Sequence, residues 1–156
     1  MSAAVSIRAA LETALNAMSP SLATSWENQN FTPPSLSTPY QVVNVLFAKP
    51  DNTAFGQPYQ ELGFMQVKLM YPVGAGTAAV NARAELIRST FTRGTSFTSG
   101  GITTMILSTP EIQPGNAEDG RFAVVVSIPF FANINCLVYR CYEKKYINWF
   151  SAFFFF

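Results

Sequence analysis

The stretch from Gln60 to Phe91 constrains the chain most, because it carries two different periods on either side of one short connection. Gly63, Met65, Val67, Leu69 and Tyr71 alternate with Leu62, Phe64, Gln66, Lys68 and Met70. The first set is apolar apart from Gly63, while the second turns polar at Gln66 and Lys68, the period-two pattern of a strand with one buried face. Pro72 ends it, since proline cannot donate to a ladder. After Val73-Gly74-Ala75-Gly76 the period changes. Val80, Ala84, Ile87 and Phe91 fall at i, i+4, i+7 and i+11, one face of a helix. Thr77 is placed to cap that helix with its hydroxyl, and Gly94 to stop it. A strand and a helix so joined pack on each other, and the rest of the chain has to cover what they leave exposed.

Around this unit the other elements follow in order. Ser2 to Met18 reads as a helix, with Ala4, Ile7, Leu11, Ala14, Leu15 and Met18 in one stripe. Trp26 to Phe31 reads as a short edge strand, and Thr32 to Pro39 as a proline-rich loop ordered against the sheet. Tyr40 to Ala48 alternates as a second strand, which pairs with the central one as a long hairpin around a protruding loop. Thr92 to Gly101 is a Gly/Ser/Thr loop and Ile102 to Ser108 a strand. Thr109 to Gly120 is a second connection, and Arg121 to Phe131 the last strand, with Phe122, Val124, Val126 and Ile128 on one face. The order predicts an α+β fold: a mostly antiparallel sheet of four to five strands with two helices packed on one face.

Residues 1–132 make one domain by this reading, and 133–156 an aromatic-rich C-terminal extension. Ala, Thr, Pro, Gly and Val dominate before Asn133; Asn, Tyr, Ile, Lys and Phe after it. Such a change points to a different coding history, testable as a step in base composition at the Asn133 codon; a uniform gene would refute it. Trp149, Phe150 and Phe153 to Phe156 offer a large apolar area that marks a contact surface or an aggregation hazard. Packing on the chain or a neighbour, disorder, and contact with a membrane surface through Lys144-Lys145 and the aromatics all stay open. Arg140, Glu143, Lys144 and Lys145 argue against a bilayer span, and the Ala-rich N-terminus lacks the apolar core of a signal peptide.

The chemistry is sparse. With no histidine in 156 residues, the commonest general base and metal ligand are missing. Cys136 and Cys141 are too few for a zinc site and lack Cys-x-x-Cys spacing, so free thiols are expected. Glu118-Asp119 reads as a solvated turn. Val73 to Thr77 has no Gly-Lys-[Ser/Thr] and no third glycine, so it is a strand-to-helix turn rather than a phosphate cradle. Ser99 has no base beside it, and Arg83, Arg88 and Arg93 read as a solvated basic stripe. No catalytic residue, metal ligand, cofactor or small-molecule substrate is expected. Charged residues make up 12% of the chain, about half the usual share of roughly 25%, and the net charge is +1, so nucleic acid and acidic membranes have no strong electrostatic claim on it. A surface this poor in charge is either Thr/Ser/Asn-rich and solvated or covered by other chains.

Several short signatures in order resemble the small tail terminator, or tail completion, proteins of long-tailed bacteriophages and prophages. They are Ile7-Arg8-Ala9-Ala10-Leu11-Glu12, Trp26-Glu27-Asn28 with Phe31-Thr32-Pro33-Pro34, and Pro39-Tyr40. Gly63 to Val67 with Tyr71 to Gly76 follows, then Arg121-Phe122 with Val126 to Phe131. The resemblance runs from about Ser6 to Ala132 and leaves out the extension. It implies a virion protein, assembled in the host cytoplasm, that forms a ring, commonly a hexamer, on the end of the tail tube. Its partners would be further copies of itself, the tube protein and the head-completion or neck proteins, with DNA only in passage. A neck or connector subunit is the alternative within that class; a membrane-associated effector acting through the extension is one outside it. By exposure and loop length, candidate contacts are Lys49, Asp51, Phe55 and Tyr59 in the hairpin loop, and Arg83, Glu85, Arg88 and Arg93 at the second helix. The 92–101 and 110–120 loops follow, the latter with Glu118 and Asp119, and then Trp149 and Phe150.

Overall fold

The computed structural model describes residues 2–52 and 58–134. The central strand of the sequence reading is β3 (Tyr59–Pro72), and the last strand is β8 (Arg121–Ile134). They pair antiparallel along their whole length, from Tyr59↔Ile134 to Pro72↔Arg121. β2 (Tyr40–Phe47) lies antiparallel on the other side of β3, in register from Tyr40↔Met70 to Phe47↔Gly63. Asp51 and Gln60 exchange backbone hydrogen bonds beyond the end of β2, so the long hairpin is as expected.

One sheet face is dry. Val43 and Val45 of β2 line up with Met65, Val67 and Leu69 of β3 and with Val124, Val126, Ile128 and Phe130 of β8, all buried. Both helices cover this face, α1 (Ala3–Asn16) with Ile7, Leu11 and Leu15, and α2 (Ala78–Thr90) with Val80, Ala84 and Ile87. Phe91 closes the end of α2, fully buried, with its ring 5.2 Å from that of Phe97. Burying side chains of this size contributes about 1.5–3 kcal/mol each. The α2 stripe is the predicted one; in α1, Ala4 is exposed and Ala10 takes a buried place, because the axis turns the inner face one step along. Thr77 is the N-cap residue, but its hydroxyl makes no capping bond.

The sheet is larger than predicted and mixed. β1 (Ala23–Ser25) runs parallel to β2, just before the Trp26–Phe31 segment expected to hold the edge strand. The 92–101 segment is not a loop: it contains β4 (Ser96–Ser99), which makes a hairpin with β5 (Ile102–Ile106). Gly100 and Gly101, with φ of 55° and 78°, supply the positive φ that a tight hairpin turn needs, and Phe97 points inward to anchor the strand. The 109–120 segment holds β6 (Glu111–Ile112) and β7 (Asn116–Glu118). β5, β6 and β7 successively pair with β8, so they act as one strand broken twice. Asp119 and Gly120, at φ 49° and 70°, turn β7 directly into β8. β8 continues through Asn133 and Ile134, past the expected end at Phe131. The α+β class with two helices on one face therefore stands, while four to five strands becomes an eight-strand sheet ordered β1-β2-β3-β8-β5-β4, with β6 and β7 also on β8.

Gly63 is the one break in the apolar face of β3, and the structure gives its reason. A Cβ there would lie 2.4 Å from the Leu46 carbonyl oxygen and 2.7 Å from the Phe130 ring. Phe130 thus packs over the glycine backbone, with its ring edge-on to Phe47 at 5.9 Å. Gly63→Ala is expected to lower stability by about 1–3 kcal/mol through overpacking, read as a lower urea midpoint with an unchanged slope.

Candidate interaction surfaces

Among the described residues, no group of three or more His, Cys, Asp or Glu side chains comes together as a metal site. Glu118 is not simply solvated: it forms an ion pair with Lys68 of β3. Asp119 is exposed in the hairpin turn. What the fold offers for function is surface, and it falls into distinct parts.

Lys49 and Asp51 are exposed at the base of the β2–β3 connection, and Tyr59 is half-buried where β3 starts. Phe55, Trp149, Phe150, Cys136 and Cys141 lie outside the described residues. On α2, Glu85 and Arg88 form an ion pair at 2.9 Å on the outer side, and Arg88 Nε donates to the Pro110 carbonyl at 3.1 Å. This joins the outer side of α2 to the β5–β6 connection. Arg93 is exposed just past the helix.

Arg83 does not belong with them. It is 5% exposed, so its place on an exposed stripe is corrected. The helix period puts Arg83 beside Ala84 at the rim of the buried face, and its long stem carries the head inward. One nitrogen donates to the Pro20 carbonyl at 2.5 Å and another reaches Gln41 Oε1 at 3.4 Å. Gln41 Nε2 in turn donates to Thr24 Oγ1 at 2.9 Å. Burial pulls the Arg83 pKa below the ordinary guanidinium range, against a smaller opposing effect of Tyr71. Arg83 therefore ties α2 to β1, β2 and the segment after α1.

Arg121 organises the proline-rich loop, as no motif announced. It is 3% exposed, and its guanidinium donates to the carbonyls of Pro34, Ser35 and Thr38, each at 2.7 Å. Its head also sits 4.8 Å from the centre of the Tyr40 ring. Prolines add acceptors without donors, and an arginine with five N–H groups is the side chain best suited to collect them. The loop is thereby pinned to the outer sheet face, where Phe31 packs with Tyr40, Met70 and Ala123. The expected ordering of this loop is as found, with Arg121 as its cause.

That cover reaches only half of the outer face. At the other half two apolar rows cross the sheet. Leu46, Phe64 and Pro129 are in register, with Leu107 bonded alongside. Next to them lie Leu62, Phe131 and Met105, with Ala48 at the β2 end. Leu46, Phe64 and Leu107 are exposed at 43%, 37% and 47%. Polar rows bound the band on both sides: Asn44, Gln66 and Ser127 toward the proline loop, Gln60 and Asn133 toward the end of β8. A shallow cavity of about 390 Å³ opens where Phe64 and Pro129 meet Gln66, Ser127 and Glu111.

The free edge of β2 is guarded. β1 pairs only with Tyr40–Val42, and beyond it the Val45 N–H meets Glu27 Oε2 while the Val45 carbonyl meets Arg8, both at 3.4 Å. Arg8 and Glu27 are themselves paired at 2.6 Å, and Glu12 stands 3.7 Å from Arg8. Side chains that occupy an edge in this way discourage unwanted strand pairing. The hydrogen bond from Arg8 holds the Glu27 carboxyl below its ordinary 4.5, while burial pushes Glu12 above that value against the pull of Arg8.

Comparison with known proteins bears on these surfaces. The model of a family described as phage tail terminator protein matches residues 6–130, nearly all of the described chain. One solved structure, whose name states no function, is 26% identical and superposes with a TM-score of 0.71. The alignment covers 86% of this chain and 98% of the other. No curated protein matches.

Arg121→Ala is expected to free the proline-rich loop, exposing residues 32–39 to limited proteolysis and lowering stability by roughly 1.5–3 kcal/mol for the loss of charged hydrogen bonds. Unchanged cleavage and melting would contradict the clamp. Glu27 contributes stability above its unfolded pKa, near 4.5, that is lost as pH falls through the depressed folded value. A carboxyl titration followed by NMR should show that depression in the parent chain and its disappearance in Arg8→Ala.

Proposed function

Since the chain belongs to the phage tail terminator family, and is thus a structural protein of a phage tail, we propose that it forms a ring that caps the tail tube. The ring stops addition of tube protein and offers its other side to the head-completion proteins, while DNA passes through. The observation that carries this reading is the family match across both helices and almost the whole sheet. No small-molecule substrate or cofactor enters it.

A ring of identical subunits needs two different surfaces that close on each other. We assign one to the base of the β2–β3 connection, with Lys49, Asp51 and Tyr59. The other is the outer side of α2 with Glu85 and Arg88, continued by Arg93 and the adjoining β5–β6 connection. Arg83 is excluded, since it is buried. Exposed ion pairs hold little folding free energy, about 0–1 kcal/mol, so charge there can serve register between subunits at small cost to the fold.

The test is tube growth with and without the purified protein, with tube lengths measured by electron microscopy and subunit mass by light scattering. The expected result is a hexamer-sized particle, alone or on the tube end, and growth that stops when it is added. Reversing both charges in Glu85→Lys/Arg88→Glu should weaken ring formation severalfold and leave the melting temperature within a few degrees. Tubes that lengthen equally with and without the protein would overturn the reading.

A further inference from the structure

The edges of the sheet are finished differently. The β2 edge carries the Arg8–Glu27 pair, and β1 beside it is three residues long. β6 and β7, with two and three residues, bear Glu111 and Glu118. β4 ends the strand order without such a guard. From Gly94 to Thr109 the chain has no charged residue and no proline. Charge and proline are two of the means that keep a sheet edge from taking up further strands, and the β4–β5 hairpin uses neither.

The ladder determines which groups are open. The Ile106 N–H donates to the Thr95 carbonyl at 2.9 Å, and β4 pairs with β5 from Ser96↔Met105 to Ser99↔Ile102. Bonded and unbonded pairs alternate in an antiparallel ladder. Phe97 and Ser99 therefore bond to β5, while the N–H and C=O groups of Ser96 and Thr98 point away from it. The Thr98 and Thr103 hydroxyls, 2.9 Å apart, show the close side-chain approach of an unbonded pair. No backbone group among the described residues bonds to the outward groups.

Beside this edge lies a groove of about 400 Å³ between β4 and α1. α1 lines it with Ala9, Ala10, Thr13 and Ala14, whose small side chains leave it open, and β4 lines it with all four of its residues. An added strand can bond its backbone to Ser96 and Thr98 and lay every second side chain in the groove. Size argues for a slender occupant. Four residues span about 13 Å, so a folded domain meeting the sheet there gains little of the ~800 Å² per partner that a stable dimer needs. An extended segment uses the backbone groups and the groove together.

We propose that the β4 edge is a strand-addition site for an extended, uncharged segment of a partner protein, whose apolar side chains at alternate positions seat against α1. The site does not depend on the ring and would hold if that reading failed.

The test is amide hydrogen exchange followed by NMR on the full-length protein, alone across a dilution series and with a capped peptide of alternating valine and threonine as probe. Alone, the Ser96 and Thr98 amides are expected to exchange fast at every concentration, and those of Phe97 and Ser99 slowly. The peptide should slow Ser96 and Thr98 severalfold, whereas the same peptide N-methylated at every amide should not. Thr98→Pro removes one outward donor, and Ala9→Phe fills the groove from the helix side. Each should weaken the effect severalfold, read at Ser96, while circular dichroism shows the fold kept. Slow exchange at Ser96 and Thr98 in the dilute protein would mean that its own chain holds the edge. Protection that grows with concentration would mean that a second copy does. Either overturns the proposal, and so does a peptide that leaves both amides unchanged or acts equally when N-methylated.

Discussion

The fold depends on one strand pair. β3 and β8 are hydrogen-bonded from end to end, and the rest of the sheet is built outward from them, with β1 reached through β2 and β4 through β5. β2 extends the sheet from β3; β5, β6 and β7 extend it from β8; α1 and α2 cover the dry face that the pair defines. Their register decides which side chains meet that face, because a one-residue slip would turn every one of them over. Phe130 over Gly63 fixes the register from within: the ring fits against a residue without a Cβ and nowhere else along β3, where Met65, Val67 and Leu69 fill the space.

Much of this was legible in the residues because the strongest signals are periodic. The alternation of β2, β3 and β8 and the α2 stripe of Val80, Ala84, Ile87 and Phe91 follow from elementary strand and helix geometry, and the structure keeps them. The missed elements are short. β4, β6 and β7 hold two to four residues each, too few for a period to show. For β4 and β7 the signal lay in the turns: Gly100-Gly101 and Asp119-Gly120 are both two-residue hairpin sequences, and reading them as loop chemistry hid these two strands. Arg83 was misplaced because a helix pattern assigns a direction from the axis, whereas a long side chain can fold its charged head back into the structure. Arg121 was missed because its partners are the carbonyls of a loop more than eighty positions away, which no local pattern encodes.

The surface divides in a way that suits an assembly protein. Arg121 and Arg83 lie inside and hold segments together; Glu85, Arg88, Lys49 and Asp51 lie outside on elements that the core already holds. A family whose members act as structural parts of a phage tail can vary the second group without disturbing the first. The Arg8–Glu27 pair on the β2 edge fits the same division, since it occupies backbone groups that would otherwise be open to unwanted strand addition.

The order of elements along the chain also bears on how it folds. β3 is complete by Pro72, yet its partner β8 starts only at Arg121, after α2 and the interrupted strand have been made. A chain dominated by such distant pairings closes large loops before contacts reward it, and folds slowly for its length. The Asp119-Gly120 turn offers one local starting point, because β7 and β8 meet there with no loop to close. During synthesis the dry faces of β2, β3 and α2 must wait for the last described strand, so the subunit becomes fit for assembly in a single late step.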